Sequence, residues 1–235
     1  MSKRFTVIPE STFEELAVDA GILLSTFDPA NPSIDDDDII SATTGGINVV
    51  CQPSYSDWGE DVDNCPNNTK ELKNLDGWDT KISTTALNAS AKLIKLSLGA
   101  ADMTDATYKA STDTTVQTGK VYYTRTGTSP NYTYTKVQSP TGNPSTNNYY
   151  EIDNPGPEIT PRADLEQTDF TEVWWVGDKA GGGLVAVHLE NALSTGGLSL
   201  QTTKNSKGQF TLEITGHTSI TDQETVPMTF YSTED

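Results

Sequence analysis

The sequence predicts a mainly β protein: an antiparallel β-sandwich or barrel with a flanking α-helix, plus a small β insertion. Three observations carry this. Four apolar runs, residues 173–176, 184–189, 198–202 and 209–215, are separated by Gly-rich or polar turns at the regular spacing of an antiparallel sheet. Within them, Leu198 and Leu200, then Phe210, Leu212 and Ile214, alternate with polar residues, the pattern of strands with one wetted face. The hydrophobic fraction is only 34%, against about 45–50% in globular chains when Gly is counted. Much of the chain therefore lies in loops and exposed strands, or neighbouring copies complete part of the core.

Taken in order, residues 11–21 read as a short helix. Ser11 and Glu14 form a capping box, Phe13, Leu16 and Val18 supply apolar side chains, and Gly21 is the stop signal. Residues 28–38, with two prolines and four consecutive aspartates, read as an extended, solvated arm. The aspartates lack the Gly-containing spacing of a calcium loop, so no metal is expected there. Residues 47–50 form a strand entered through Gly45-Gly46. Residues 53–77 then read as a long polar loop of the kind that carries function, with Asp57, Trp58, Glu60, Asp61 and Asp63. A strand follows over 78–87. Asn88 is placed to cap a helix that runs through Leu98, stops at Gly99, and packs Leu93, Ile94, Leu96 and Leu98 on the sheet.

The composition changes near residue 111. Between Ser111 and Asp153 there is no Leu, Phe, Trp or Ala, yet six of the nine tyrosines fall there. Residues 120–124 and 132–137 suit short strands, with turn signals at Gly119, Ser129-Pro130 and Gly142-Asn143-Pro144. The reading is a discontinuous host domain, 1–110 and 154–235, with an inserted Tyr/Thr-rich module at 111–153. Its tyrosines either build a miniature core or offer a contact surface for sugars or proteins.

Composition also excludes functions. A formal charge of −18 repels nucleic acid and anionic membranes. After Lys3-Arg4 the acidic residues Glu10, Glu14, Glu15 and Asp19 interrupt any apolar run, so the N-terminus does not read as a signal peptide, and no segment has the length of a membrane span. Without export, Cys51 and Cys65 are expected as free thiols. His188 and His217 fall in or beside strands and make no spaced ligand pair, and no nucleophile-elbow serine is present. Gly181-Gly182-Gly183 opens no helix that would cradle a phosphate. Carboxylate pairs of the glycosidase kind arise by chance among 33 acidic residues. The chain is expected to be non-enzymatic, with no cofactor and no metal.

Several stretches carry a resemblance. Residues 9–24 from Pro9-Glu10-Ser11-Thr12-Phe13, Ser41-Ala42-Thr43-Thr44-Gly45-Gly46-Ile47, Asp57-Trp58-Gly59-Glu60-Asp61-Val62-Asp63-Asn64-Cys65-Pro66 and Leu98-Gly99-Ala100-Ala101-Asp102 are among them. In the C-terminal third, Ile159-Thr160-Pro161-Arg162, Trp174-Trp175-Val176-Gly177-Asp178, Asn191-Ala192-Leu193-Ser194-Thr195-Gly196-Gly197 and Lys207-Gly208-Gln209-Phe210 follow. In order and extent these resemble the tail tube (major tail) proteins of long-tailed bacteriophages of Gram-positive hosts. The insertion departs from the simplest members.

The resemblance implies a tail tube fold whose copies form hexameric rings that stack into a hollow tube conducting DNA. It implies a virion location after assembly in the host cytoplasm, and the tape measure, tail-tip or baseplate and tail terminator proteins as partners. DNA would pass without specific binding, and no membrane is involved. Asp57, Trp58, Glu60, Asp61 and Asp63 become candidate contacts between stacked rings, with Trp58 as a plug of the domain's own core standing as the alternative. The 25–47 arm is a second candidate for reaching a neighbour. Residues 111–153 would be peripheral to assembly. The competing reading is a carbohydrate-binding or adhesive β module.

Overall fold

The computed structural model describes residues 11–60, 62–205 and 207–233. The chain divides into two compact units, Met1–Ala101 with Pro161–Asp235, and Asp102–Thr160. The second unit contains the Tyr/Thr-rich stretch and extends past it on both sides. In chain order the elements are helix α1 (Ser11–Glu14), strands β1 (Ala17–Leu24), β2 (Ile39–Ser41), β3 (Thr43–Asp57) and β4 (Lys73–Ala86), and helix α2 (Ala91–Leu98). They continue with β5 (Ala101–Thr104), β6 (Thr107–Ala110), β7 (Tyr123–Thr128), β8 (Asn131–Lys136), β9 (Tyr149–Asn154) and β10 (Glu158–Pro161). The last are β11 (Thr171–Lys179), β12 (Leu184–Ser194), β13 (Ser199–Gln201), β14 (Gln209–Gly216) and β15 (Met228–Ser232).

The protein is mainly β, and the paired strands of both units run antiparallel. In the first unit the sheet order is β2-β1-β11-β12-β14-β4-β3, with β13 on β14 and β15 on β12. Strand β12 joins two layers. Its residues 185–189 pair with β15, while 192–194 pair with β14. The core lies between the layers: Leu23, Val173, Val187 and Leu189 meet Ile82, Phe210, Leu212 and Ile214, and Leu93 of α2 joins them. The neighbours Leu24, Trp174, Val176 and Ala186 point the other way and form a second cluster with Phe27. Strands β1, β11 and β12 thus bury both faces, which explains their near-continuous apolar runs. Strand β14 buries only alternate residues.

Four local expectations are corrected. Residues 11–21 are not one helix: α1 is a single turn, and Ala17 onward is strand. Leu23 and Leu24 gain burial on both faces of the sheet by pairing with β11, which outweighs the weak helix-start signal. Residues 53–77 are loop only over 58–72, because β3 and β4 pair from Thr43↔Ala86 out to Asp57↔Lys73 and take in 53–57 and 73–77. The cap of α2 is Ser90, whose hydroxyl accepts the Leu93 N–H at 3.2 Å. Asn88 instead accepts from Ser41 Oγ and from Ala42 N at 3.1 Å, tying β2 to the helix entry. The 28–38 arm folds back through a turn at Asp28 and a 3-10 turn at Asp36–Asp38, with Ser25 N donating to Asp38 O at 2.8 Å.

In the second unit, β6, β9, β7 and β8 form a four-stranded sheet, and β5 pairs with β10. Tyr122 is fully buried, and its hydroxyl donates to Asp113 Oδ2 at 2.6 Å. Lys120 Nζ bridges Asp113 Oδ2 (2.7 Å) and Glu151 Oε2 (2.9 Å). The hydrogen bonds from Lys120 and Tyr122 hold the Asp113 carboxyl below its usual range. On the other face Tyr108 stacks on Tyr134 with centroids 3.9 Å apart. Tyr123 meets Tyr108 edge-on, as Tyr150 meets Tyr134. These four rings turn on one another while staying half-buried, whereas Tyr122 is buried.

Candidate assembly surface

Strand β3 is an edge of the sheet. Among the described strands it pairs only with β4, so the outer row of its backbone groups faces no ladder. Ile47, Val49 and Cys51 turn towards the core, and burial holds the Cys51 thiol above its ordinary pKa. Asn48, Val50 and Gln52 alternate with them on the opposite face. Between Thr43 and Ser56 the strand carries no charged side chain. Natural edges are usually blunted with lysines, prolines or bulges. Here Pro53 and two register shifts, Thr44/Ile47 and Ser54/Tyr55, interrupt it and β1 packs close to β3, while 47–52 pairs with β4 in regular register and carries no charge.

Beyond the core the hairpin continues outward. No residue of 52–57 or 73–79 is buried, and the arm from 73 to 79 spans roughly 20 Å at the usual strand rise. Tyr55, Leu75 and Trp78 are exposed along it. The loop 218–227 lies beside Leu75–Trp78, leaving the tip to project from there.

The tip is ordered by Asp57. Its carboxylate accepts the backbone N–H of Gly59 and of Asn68, each at 2.9 Å, and Lys73 Nζ stands 3.6 Å away. The Gly59 hydrogen bond chiefly, helped by Asn68 and Lys73, lowers the Asp57 pKa. Trp58 N donates to Leu72 O at 3.0 Å, yet its side chain is 66% exposed. It therefore does not plug the core. Glu60 and Asp63 are exposed in the same turn, and Asp61 lies outside the described residues. The hairpin thus brings Trp58, Glu60 and Asp63 to one exposed tip, while Asp57 is nearly buried and organises the turn from within. Sequence reasoning missed Tyr55, Leu75 and Trp78 as part of the same projection. No local sequence pattern marks them, because the paired strands there bury nothing.

Other chemistry-bearing residues have structural partners. His188 is buried, stacked on Trp174 at 4.0 Å, with Glu172 Oε2 3.4 Å from its Nε2. His217 Nδ1 lies 3.2 Å from Asn191 O. Cys51 and Cys65 are free. Among the described residues no three His, Cys, Asp or Glu side chains are grouped to hold a metal, and no helix is long and apolar enough to cross a membrane. No protein-family model and no curated protein matches this sequence.

Proposed function

We propose that the chain is a structural virion protein, the tail tube protein of a long-tailed bacteriophage, whose hexameric rings stack into a hollow tube through which DNA passes. The observation that carries this reading is the long edge strand β3, which carries no charge from Thr43 to Ser56, on a molecule of net charge −18. An edge of this length invites aggregation when alone and becomes useful when a second copy completes the sheet. Ring closure, with each copy joining its sheet to the next, removes every such edge at once. The charge of −18 fits the same role, since a carboxylate-rich bore repels the phosphate backbone and offers few cations that trap it.

The test is to place charge on the edge. Asn48→Lys with Val50→Lys alters the face of β3 turned from its own core, so the fold is expected to survive. Sedimentation should show the double variant as a folded monomer under conditions in which the unaltered chain assembles. Assembly that continues undiminished removes β3 from the interface.

A further inference from the structure

We infer that the Tyr-rich unit carries a receptor for an acidic saccharide, in which Arg125 pairs with the carboxylate of a uronic acid residue whose ring stacks on Tyr132. The inference does not depend on the assembly reading.

Strand pairing sorts the side chains of the four-stranded sheet. Tyr123 stands opposite Tyr150 and Lys136, Arg125 opposite Tyr134, Gly127 opposite Tyr132, and Tyr108 opposite Ile152. Paired residues share a face, and the period of two puts all of these on the same one. The sheet curls around that face, since Tyr108 of β6 and Tyr134 of β8, at opposite ends of the strand order, stack at 3.9 Å. The stack, with Tyr123 and Tyr150 edge-on to it, fills the hollow and supports its rim. Tyr132 has no ring partner among the described residues. Its ring is 37% exposed, and Gly127 opposite has no side chain to cover it. Arg125 lies over Tyr132 at 4.2 Å and over Tyr150 at 4.7 Å from the ring centroids.

The guanidinium is held in place but not neutralised. Arg125 is exposed and has no hydrogen bond or ion pair among the described residues, and neither has Lys136 on the same face. The carboxylates of β9 are engaged on the opposite face, Glu151 by Lys120 at 2.9 Å and Asp153 by Lys109 at 2.8 Å. Glu158 accepts from Asn154 at the far end of β9. The rim is therefore cationic, on a molecule with 33 acidic and 15 basic residues.

A guanidinium fork grips a carboxylate through two parallel N–H bonds, and its placement between two rings lowers the cost of ordering it. A uronic acid carries its carboxylate on the pyranose ring itself, so one sugar residue reaches both Tyr132 and Arg125. All five rings on this face end in a hydroxyl, and Ala110 and Ile152 are the aliphatic side chains that the strands place beside them. That surface suits a hydroxylated ring better than the apolar anchors of a peptide. Two cations are too few to hold a nucleic acid on so acidic a chain.

Calorimetric titration of the full chain with hexagalacturonate tests this, with maltohexaose as the uncharged control. At about 1 mM the first should bind and the second should not. Arg125→Ala and Tyr132→Ala should each weaken binding about tenfold or more. Arg125→Lys should recover only part of the loss, because an ammonium lacks the fork. Lys109→Ala, on the opposite face, should leave the affinity unchanged. Arg125 and Tyr132 are exposed, so circular dichroism of their variants should match the unaltered chain. Hexagalacturonate that fails to bind the unaltered chain, maltohexaose bound as tightly, or an equal loss from Lys109→Ala overturns the receptor and leaves the assembly reading untouched.

Discussion

Gly21 sits at φ +66°, where β1 bulges between Val18 and Ile22. A Cβ there would stand 2.5 Å from both Trp175 Nε1 and the Val176 carbonyl oxygen. The indole needs that space, because its N–H donates to Ala20 O at 3.1 Å. Gly21→Ala therefore meets both the left-handed backbone cost, about 1–2 kcal/mol, and a clash with a central strand. Urea denaturation should show a loss of at least that size. Asp57 controls a different kind of order. Its pKa is depressed in the folded chain, so its contribution to the tip is present above the ordinary carboxylate range. That contribution disappears as pH falls through the lowered value. The amides of Gly59 and Asn68 should keep their protection from hydrogen exchange at neutral pH and lose it only once the pH has fallen below the ordinary carboxylate range. Asp57→Ala should remove it at every pH.

At the scale of the element, β14 shows how alternation becomes stability. Phe210, Leu212 and Ile214 are buried, while Thr211 lies on the open face. Leu212→Ala is expected to cost about 2–5 kcal/mol, against less than about 0.5 kcal/mol for Thr211→Ala, both read from denaturant midpoints. This strand was legible because its burial is one-sided and leaves a period of two in the sequence. β11, with Val173 and Trp174 buried on opposite faces, was legible as an apolar run. β1 was not, because Gly21 stops a helix and permits a bulge with the same residue. β15, with Phe230 exposed and Met228 buried, is too short to announce itself. The outer hairpin escaped notice for another reason. Its strands bury nothing, so hydrophobic periodicity, which reports burial, had no signal there. The candidate site was legible only as a polar stretch containing a tryptophan. Its projection depends on pairing between residues such as Asp57 and Lys73, which local pattern does not encode.

At the scale of the whole molecule, two units share one chain, and the smaller has its own buried tyrosine, ion-pair network and sheet. The chain leaves and returns at adjoining points: a Cβ on Gly156 would lie 2.6 Å from Thr104 O and 2.7 Å from Ala106 N. Replacing residues 105–156 by a short Gly-Ser turn should leave the larger unit folded and able to assemble, with tubes still visible in micrographs. A folded but non-assembling deletion would make the insertion part of the interface. On the proposed function, the acidic charge, the β3 edge and the projecting hairpin would belong to one design, in which other copies finish the sheet. The most direct test of that claim is electron microscopy of the unaltered chain across a range of concentration and salt. Rings with six-fold end views, stacking into hollow tubes, are the predicted result. A chain that remains monomeric throughout, with β3 fully protected from hydrogen exchange, would contradict it.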